Sequence, residues 1–154
     1  MRILLMRHGA AVAYGLAERD EDRWLTEKGR QDAQRVAGLL RGEGLAFDAV
    51  HTSPLVCAVQ TAELLADGVD CPTVVTHAAM APDRGGVDDA LRLPRGPELI
   101  ALVGHEPKIR QISQRLGGTA AGSGFSTAEA RLFESTKDRY RLILTIDAEG
   151  LRRL

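Results

Sequence analysis

Cysteine is scarce in this chain: Cys57 and Cys71 are the two in 154 residues, with no Cys-x-x-Cys spacing. That excludes a disulfide framework and a dithiol redox motif, and both read as buried free thiols of a reducing cytoplasm. Aromatics are scarce too, with three Phe, two Tyr and one Trp, which removes a base-stacking platform for nucleic acid. The formal net charge is −1, so nothing offers an electrostatic footprint to nucleic acid or an anionic membrane. No apolar run approaches the length that spans a bilayer. The run near the start is stopped by Arg7-His8, too early for a signal peptide. Walker A, Gly-x-Gly-x-x-Gly and His-Glu-x-x-His motifs are all missing; His105-Glu106 lacks the second His, and Gly122-Ser123-Gly124 lies ahead of a strand. No zinc ligands are paired in the sequence, and neither a metal nor a cofactor is expected.

What is present reads as one soluble domain over residues 1–154, with 44% hydrophobic and 27% charged residues. A cytoplasmic monomer is expected. Strands alternate with helices. Residues 2–6 form a first buried strand. Thr26-Glu27 opens a helix in which Ala33, Val36, Ala37 and Leu40 recur at helical spacing, until Gly42 and Gly44 stop it. Phe47 to His51 is a second strand. Ser53-Pro54 signals a helix start, Ser as N-cap and Pro at the first helical position, with the helix running to about Ala66. Thr73 to Val75 is a short third strand, residues 78–97 are loop-like with a short helix at 87–93, and Leu99 to Val103 is a fourth strand. Glu106-Pro107 starts a helix ending near Gly117-Gly118. Residues 130–133 and 140–146 then form a hairpin around Thr136-Lys137-Asp138. The pattern predicts a three-layer α/β/α sandwich on a mainly parallel sheet, with an antiparallel C-terminal hairpin.

Chemistry gathers at two strand ends. Arg7-His8-Gly9 follows Ile3–Met6, and Gly104-His105 follows Leu99–Val103. Ligands of open α/β sheets bind outside the carboxyl ends of the strands, so both imidazoles are expected to face one crevice. His51 reads as a surface or structural residue, and His77 sits in a loop with no partner in sequence.

Met6-Arg7-His8-Gly9, Leu25-Thr26-Glu27-Lys28-Gly29, Ser53-Pro54 with Ala58, Gln60 and Thr61, and Val103-Gly104-His105 resemble, in order, the motifs of the histidine phosphatase superfamily, in its Arg-His-Gly branch. The likeness spans about residues 1–116, and the short chain is most similar to the small bacterial phosphohistidine phosphatases. It implies a phosphoglycerate mutase-like fold. It implies His8 as the nucleophile that takes the phosphoryl group, Arg7 on the phosphate oxygens, and His105 donating to them as charge grows. Gly9 and Gly104 would lie beside the phosphate, and Arg23 would reach it. Phosphoryl transfer places charge on equatorial oxygens, so positioned cations supply most of the catalysis, and an Arg fork matches two such oxygens.

One position departs from the resemblance. The family carries Ser-Pro-x-x-Arg-Ala-x-Gln-Thr, and here Cys57 stands in place of that arginine. Loss of one preorganised donor costs about 10²–10³ in rate. Three readings stand open: Arg23, Arg84 or Lys108 fills the gap; the enzyme is slow; or the chain is a non-catalytic phosphate- or phosphoprotein-binding module. Cys57 is not itself a phosphatase cysteine, because six residues on stands Glu63, and six after Cys71 stands His77, where that mechanism needs an arginine.

Between Thr61 and His105, larger members of the superfamily place a helical lid over small substrates. Here the stretch is short. Asp83, Asp88, Asp89 and Glu106 are the candidate acids, the first three reading as solvated loop carboxylates. An open site without a strong acid matches a phosphohistidine, whose imidazole leaving group has an unperturbed pKa of about 6.5. The expected function is therefore dephosphorylation of phosphohistidine in a protein, with a small-molecule phosphomonoesterase on the same fold as the alternative. The expected partner is a phosphorylated protein or a phosphate-bearing small molecule, with no nucleic acid and no membrane.

Overall fold

The computed structural model describes residues 1–154, apart from the side chain of Ala120. Seven strands form one sheet in the order β3-β2-β4-β1-β5-β6-β7. They are β1 (Arg2–Arg7), β2 (Ala49–Thr52), β3 (Val74–Thr76), β4 (Leu99–Gly104), β5 (Ala130–Ser135), β6 (Tyr140–Asp147) and β7 (Gly150–Arg153). The first four are mutually parallel, and β5, β6 and β7 continue the sheet antiparallel. The helices are α1 (Glu27–Gly42), α2 (Val56–Gly68), α3 (Val87–Ala90) and α4 (Lys108–Gly117). No helix is long and apolar enough to cross a membrane among the described residues.

Successive side chains of a strand point to opposite faces, and β1 shows the consequence. Leu4 and Met6 pack with Ala33, Val36, Ala37 and Leu40 of α1 and with Ala58, Ala62 and Leu65 of α2. Ile3 and Leu5 pack on the other face with Ala90 of α3 and with Ile109, Ile112 and Leu116 of α4. A central parallel strand buried on both faces needs an unbroken apolar run, which Ile3–Met6 supplies. The result is the expected three-layer α/β/α arrangement.

Neighbouring strands β1 and β4 send their chains to opposite faces, β1 into α1 and β4 into α4. Such a point opens a crevice beyond the strand ends. His8 and His105 stand at its two lips.

Local signals account for the helix ends. Thr26 is the N-cap of α1 and accepts from the Gly29 amide at 3.0 Å. Beyond the helix, Gly44 takes φ +68°, the left-handed region that stops a helix. Gly9 and Gly29 share a close approach: a Cβ on Gly9 would lie 2.6 Å from the Gly29 carbonyl oxygen, and one on Gly29 would lie 2.1 Å from that of Ala10. The loop after His8 therefore lies directly on the first turn of α1.

Four expectations are corrected. Ser53 is not an N-cap with Pro54 at N1. The Ser53 amide donates to the Val103 carbonyl at 3.0 Å, which carries pairing one residue past β2, and α2 begins only at Val56 with Leu55 as N-cap. Phe47-Asp48 is not strand; the Asp48 carboxylate instead accepts from the Glu98 and Leu99 amides at 2.7 and 2.9 Å and caps the start of β4. The C-terminal hairpin has a third strand, β7, reached through a turn in which Asp147 Oδ1 accepts from the Glu149 and Gly150 amides. The short helix also closes after one turn, at Ala90 rather than near residue 93.

Candidate active site

Backbone hydrogen bonds build the crevice first. The His8 amide donates to the Gly104 carbonyl at 3.0 Å, and the His8 carbonyl accepts from Ala128 at 3.1 Å. Both segments are thereby held at the same level, and the His8 and His105 ring centroids lie 4.9 Å apart with planes tilted by 54°. Both side chains are nearly enclosed, His8 at 9% and His105 at 6% exposure.

His8 Nδ1 lies 2.7 Å from the carbonyl oxygen of Gly9. A carbonyl only accepts, so Nδ1 carries the proton and the neutral ring keeps its lone pair on Nε2. Burial pushes the His8 pKa below its ordinary value, with the Arg7 and Arg23 charges adding to it against the Gly9 carbonyl. His105 is pushed down to about 3, by burial first and then by His8, Arg7, Lys108 and Arg23. Both rings are therefore neutral at neutral pH in the free site. Ser53 Oγ lies 2.8 Å from His105 Nε2 and accepts from the Leu55 amide.

Arg7 donates through Nη1 to the Phe125 carbonyl at 2.7 Å, while its Nε is buried without a partner. An unpaired buried guanidinium N–H costs free energy, and the Arg7 charge reaches both imidazoles. Glu106, one of the candidate acids, is committed elsewhere: Oε1 accepts from the Phe125 amide at 2.7 Å. Glu106 therefore holds the loop whose carbonyl orients Arg7. Glu106→Ala is expected to lower kcat/KM about tenfold, the worth of one charge-assisted hydrogen bond, and Glu106→Gln to restore most of it. Equal activity in all three proteins would contradict this positioning role.

Gly9 and Gly104, expected beside the phosphate, serve the scaffold. The Gly9 amide donates to Thr61 Oγ1 at 3.0 Å, so it is not free for an anion. Gly104 accepts from His8 through its carbonyl, and a Cβ there would lie 2.8 Å from Met80 Cε. Thr61 in turn donates to the Cys57 carbonyl at 2.7 Å, and Gln60 Oε1 accepts from the Leu25 amide at 2.8 Å. These motif residues of α2 lock the His8 loop and the lead into α1.

The three cations offered for the gap at Cys57 fare differently. Arg23 Nε pairs with Asp20 at 2.6 Å, its Nη1 donates to the Val12 carbonyl at 3.0 Å, and its guanidinium lies 3.8 Å over the Tyr14 ring. Its charge still reaches His8, His105 and Cys57. Lys108 does not fill the gap: Nζ donates to the carbonyls of Ala79, Ala81, Arg84 and Gly85 and pins that loop. Arg84 stays exposed at the rim, lining a hollow of about 190 Å³ with Pro54, Leu55 and Asp83. Cys57 itself is 4% exposed, and burial raises its thiol pKa.

Of the other candidate acids, Asp83 lines that rim hollow, Asp88 faces Arg115 at 3.3 Å and Asp89 accepts from the Gly86 amide. The larger grooves, about 670 and 740 Å³, lie around Tyr140 and Arg139, the first reaching Met1 and Ile3 at the amino end of β1. We place the site at the crevice because the paired imidazoles are there, within reach of the Arg7 charge.

Two clusters went unseen in the sequence. His77 packs edge-on against His51 with centroids 6.2 Å apart. Arg131 is buried against Glu129 at 2.8 Å and donates to the carbonyls of Ala121, Ser123 and Gly124, which stiffens the loop leading to Phe125. An Arg inside a strand with Glu two residues before it was the available signal.

The model of the histidine phosphatase superfamily (branch 1) matches residues 3–81. An uncharacterized protein of Picosynechococcus is 33% identical over 135 residues, which cover 84% of this chain and 81% of that one. The protein histidine phosphatase SixA, solved with tungstate, superposes with a TM-score of 0.85 at 21% identity, covering 96% of this chain and 97% of its own. A protein of Agrobacterium tumefaciens, assigned as the phosphohistidine phosphatase SixA, gives 0.82 at 25% identity over 94% and 96%. The chain belongs to the histidine phosphatase superfamily and is an enzyme of its phosphatase class. Within that class its fold is SixA-like, on the phosphoglycerate mutase-like plan.

Proposed function

We propose that the chain removes the phosphoryl group from a phosphohistidine borne on a protein, by way of a transient phospho-His8. The observation that carries this reading is the pinned tautomer of His8, Nδ1–H to the Gly9 carbonyl at 2.7 Å, beside the unpartnered Nε of Arg7. His8 Nε2 attacks phosphorus as the P–N bond to the substrate imidazole breaks, and that imidazole leaves with a proton from solvent. Arg7 and His105 hold the equatorial oxygens where charge is spread. Water then attacks phosphorus, inorganic phosphate departs, and His8 is regenerated.

The substrate class follows from what covers the site. Between β3 and β4 the chain holds a 3-10 turn at Ala78–Met80 and the one-turn α3, and Lys108 ties down the loop between them. A lidless crevice admits a phosphate presented on a protein surface. With Glu106 engaged at Phe125, departure receives little proton assistance, so leaving-group quality governs the rate. The expected order of kcat/KM is phosphohistidine peptide, then aryl phosphate, then sugar phosphate. Sugar phosphates as the best substrates would overturn the phosphohistidine assignment. Tight phosphate binding with no turnover of any donor would make the chain a binding module.

A further inference from the structure

The replacement of an arginine by Cys57 does more than remove a charge. One nitrogen of His8, one of His105 and the sulfur of Cys57 all lie within 4.8 Å of one another. We propose that these three side chains form a binding site for a zinc-type divalent cation, with the fourth position open to water or a phosphate oxygen. Ligand atoms around tetrahedral zinc, with bonds of about 2.0–2.3 Å, sit about 3.3–3.7 Å apart. Reaching that spacing requires the most widely separated pair to close by at most about 1.5 Å.

The scaffold suits such a site. The ligands come from three elements of one packed sheet: the loop after β1, the first turn of α2 and the loop after β4. All three are buried, so their ligand atoms are already partly stripped of water. A metal-bound histidine typically donates its other ring N–H to a carbonyl, which fixes the tautomer. His8 does so to Gly9, and Ser53 Oγ holds the His105 ring from its own side.

The donor set selects the ion. Two imidazoles and a thiolate suit zinc, cobalt or copper and not the hard cations magnesium and calcium, which take oxygen. Binding releases the Cys57 proton to solvent and involves no redox change. The bound dication and the thiolate together carry +1, the charge of the arginine that the family places there, so the Arg7 and Arg23 environment is no more crowded with charge than a site with that guanidinium. The ion takes the Nε2 lone pair of His8, so metal binding and phosphoryl transfer exclude one another. That last consequence rests on His8 as nucleophile; the site itself does not.

The test is a titration of metal-free protein with Co²⁺, read by absorption. One equivalent is expected to give visible d–d bands of a four-coordinate ion and a near-ultraviolet thiolate-to-cobalt charge-transfer band, and Zn²⁺ should displace it. Cys57→Ser is expected to lose the charge-transfer band, and His105→Ala to lose the four-coordinate spectrum. Cys71→Ser should keep both, with circular dichroism confirming that each variant is folded. Absence of the band in folded wild type, or its loss in Cys71→Ser and not in Cys57→Ser, overturns the site. In a parallel assay Zn²⁺ is expected to inhibit wild-type turnover, reversed by a chelator, and to leave Cys57→Arg unaffected. Full activity with the ion bound would show that it does not hold His8. A protein without turnover that still shows the cobalt spectrum would fail as a phosphatase and stand as a metal site.

Discussion

His8→Ala is expected to lower kcat/KM on every phosphoryl donor by at least about a thousandfold, the scale of losing a catalytic nucleophile. No other group of the crevice is prepared to replace it. The Cys57 thiol is held protonated by burial, and the Ser53 hydroxyl is engaged between His105 and the Leu55 amide. His105 is the second imidazole, but Ser53 sits on its Nε2, and the Gly9 carbonyl that leaves a lone pair on Nε2 belongs to His8. The variant should stay folded, because the backbone bonds of residue 8 to Gly104 and Ala128 do not use its side chain. Residual activity near wild type, with unfolding unchanged, would remove His8 from the mechanism.

Cys57→Arg is the second large effect, and its sign is a gain. A guanidinium on the first turn of α2 would enter the crevice beside the two imidazoles. Neither Lys108 nor Arg84 occupies that place, and Arg23 is committed to Asp20 and Val12. A charge-assisted donor aimed at the phosphoryl oxygens is expected to contribute about 1–3 kcal/mol to the transition state, about fivefold to 150-fold in rate. The measurement is kcat/KM on an aryl phosphate, with thermal unfolding to confirm that a larger side chain is accommodated at a 4% exposed position. No gain in a folded variant would mean that Arg7, Arg23 and His105 already satisfy the oxygens.

The sequence showed the parallel half of this fold plainly, for physical reasons. Ile3–Met6 and Leu99–Val103 are apolar without alternation because both faces of each strand are covered, and Thr26 with Gly44 marks the ends of α1. The C-terminal side was harder to read. Gly150–Arg153 is short and half of it is arginine, so β7 appears only when β6 offers its edge. Ser53-Pro54 looked like a helix start, but sheet pairing through Val103 claims the Ser53 amide and delays the helix.

The site was legible in part. Strand ends placed His8 and His105 together because parallel strands share a carboxyl edge. What their neighbours do depends on contacts between distant segments, which no local pattern encodes. The Gly9 amide is given to Thr61, the Glu106 carboxylate to Phe125, and the Lys108 ammonium to a loop some 25 residues earlier. The grouping of Cys57 with two histidines has the same origin, since its ligands are 49 and 48 residues apart along the chain.

The most direct test of phosphoryl transfer through His8 is mass spectrometry of enzyme quenched within a turnover of a labile phosphoryl donor. The account predicts one phosphoryl group on the peptide containing His8, lost in acid and stable in base, and absent from His8→Ala. A phosphoryl group on Cys57, or turnover with His8 unmodified at every time point, would contradict it.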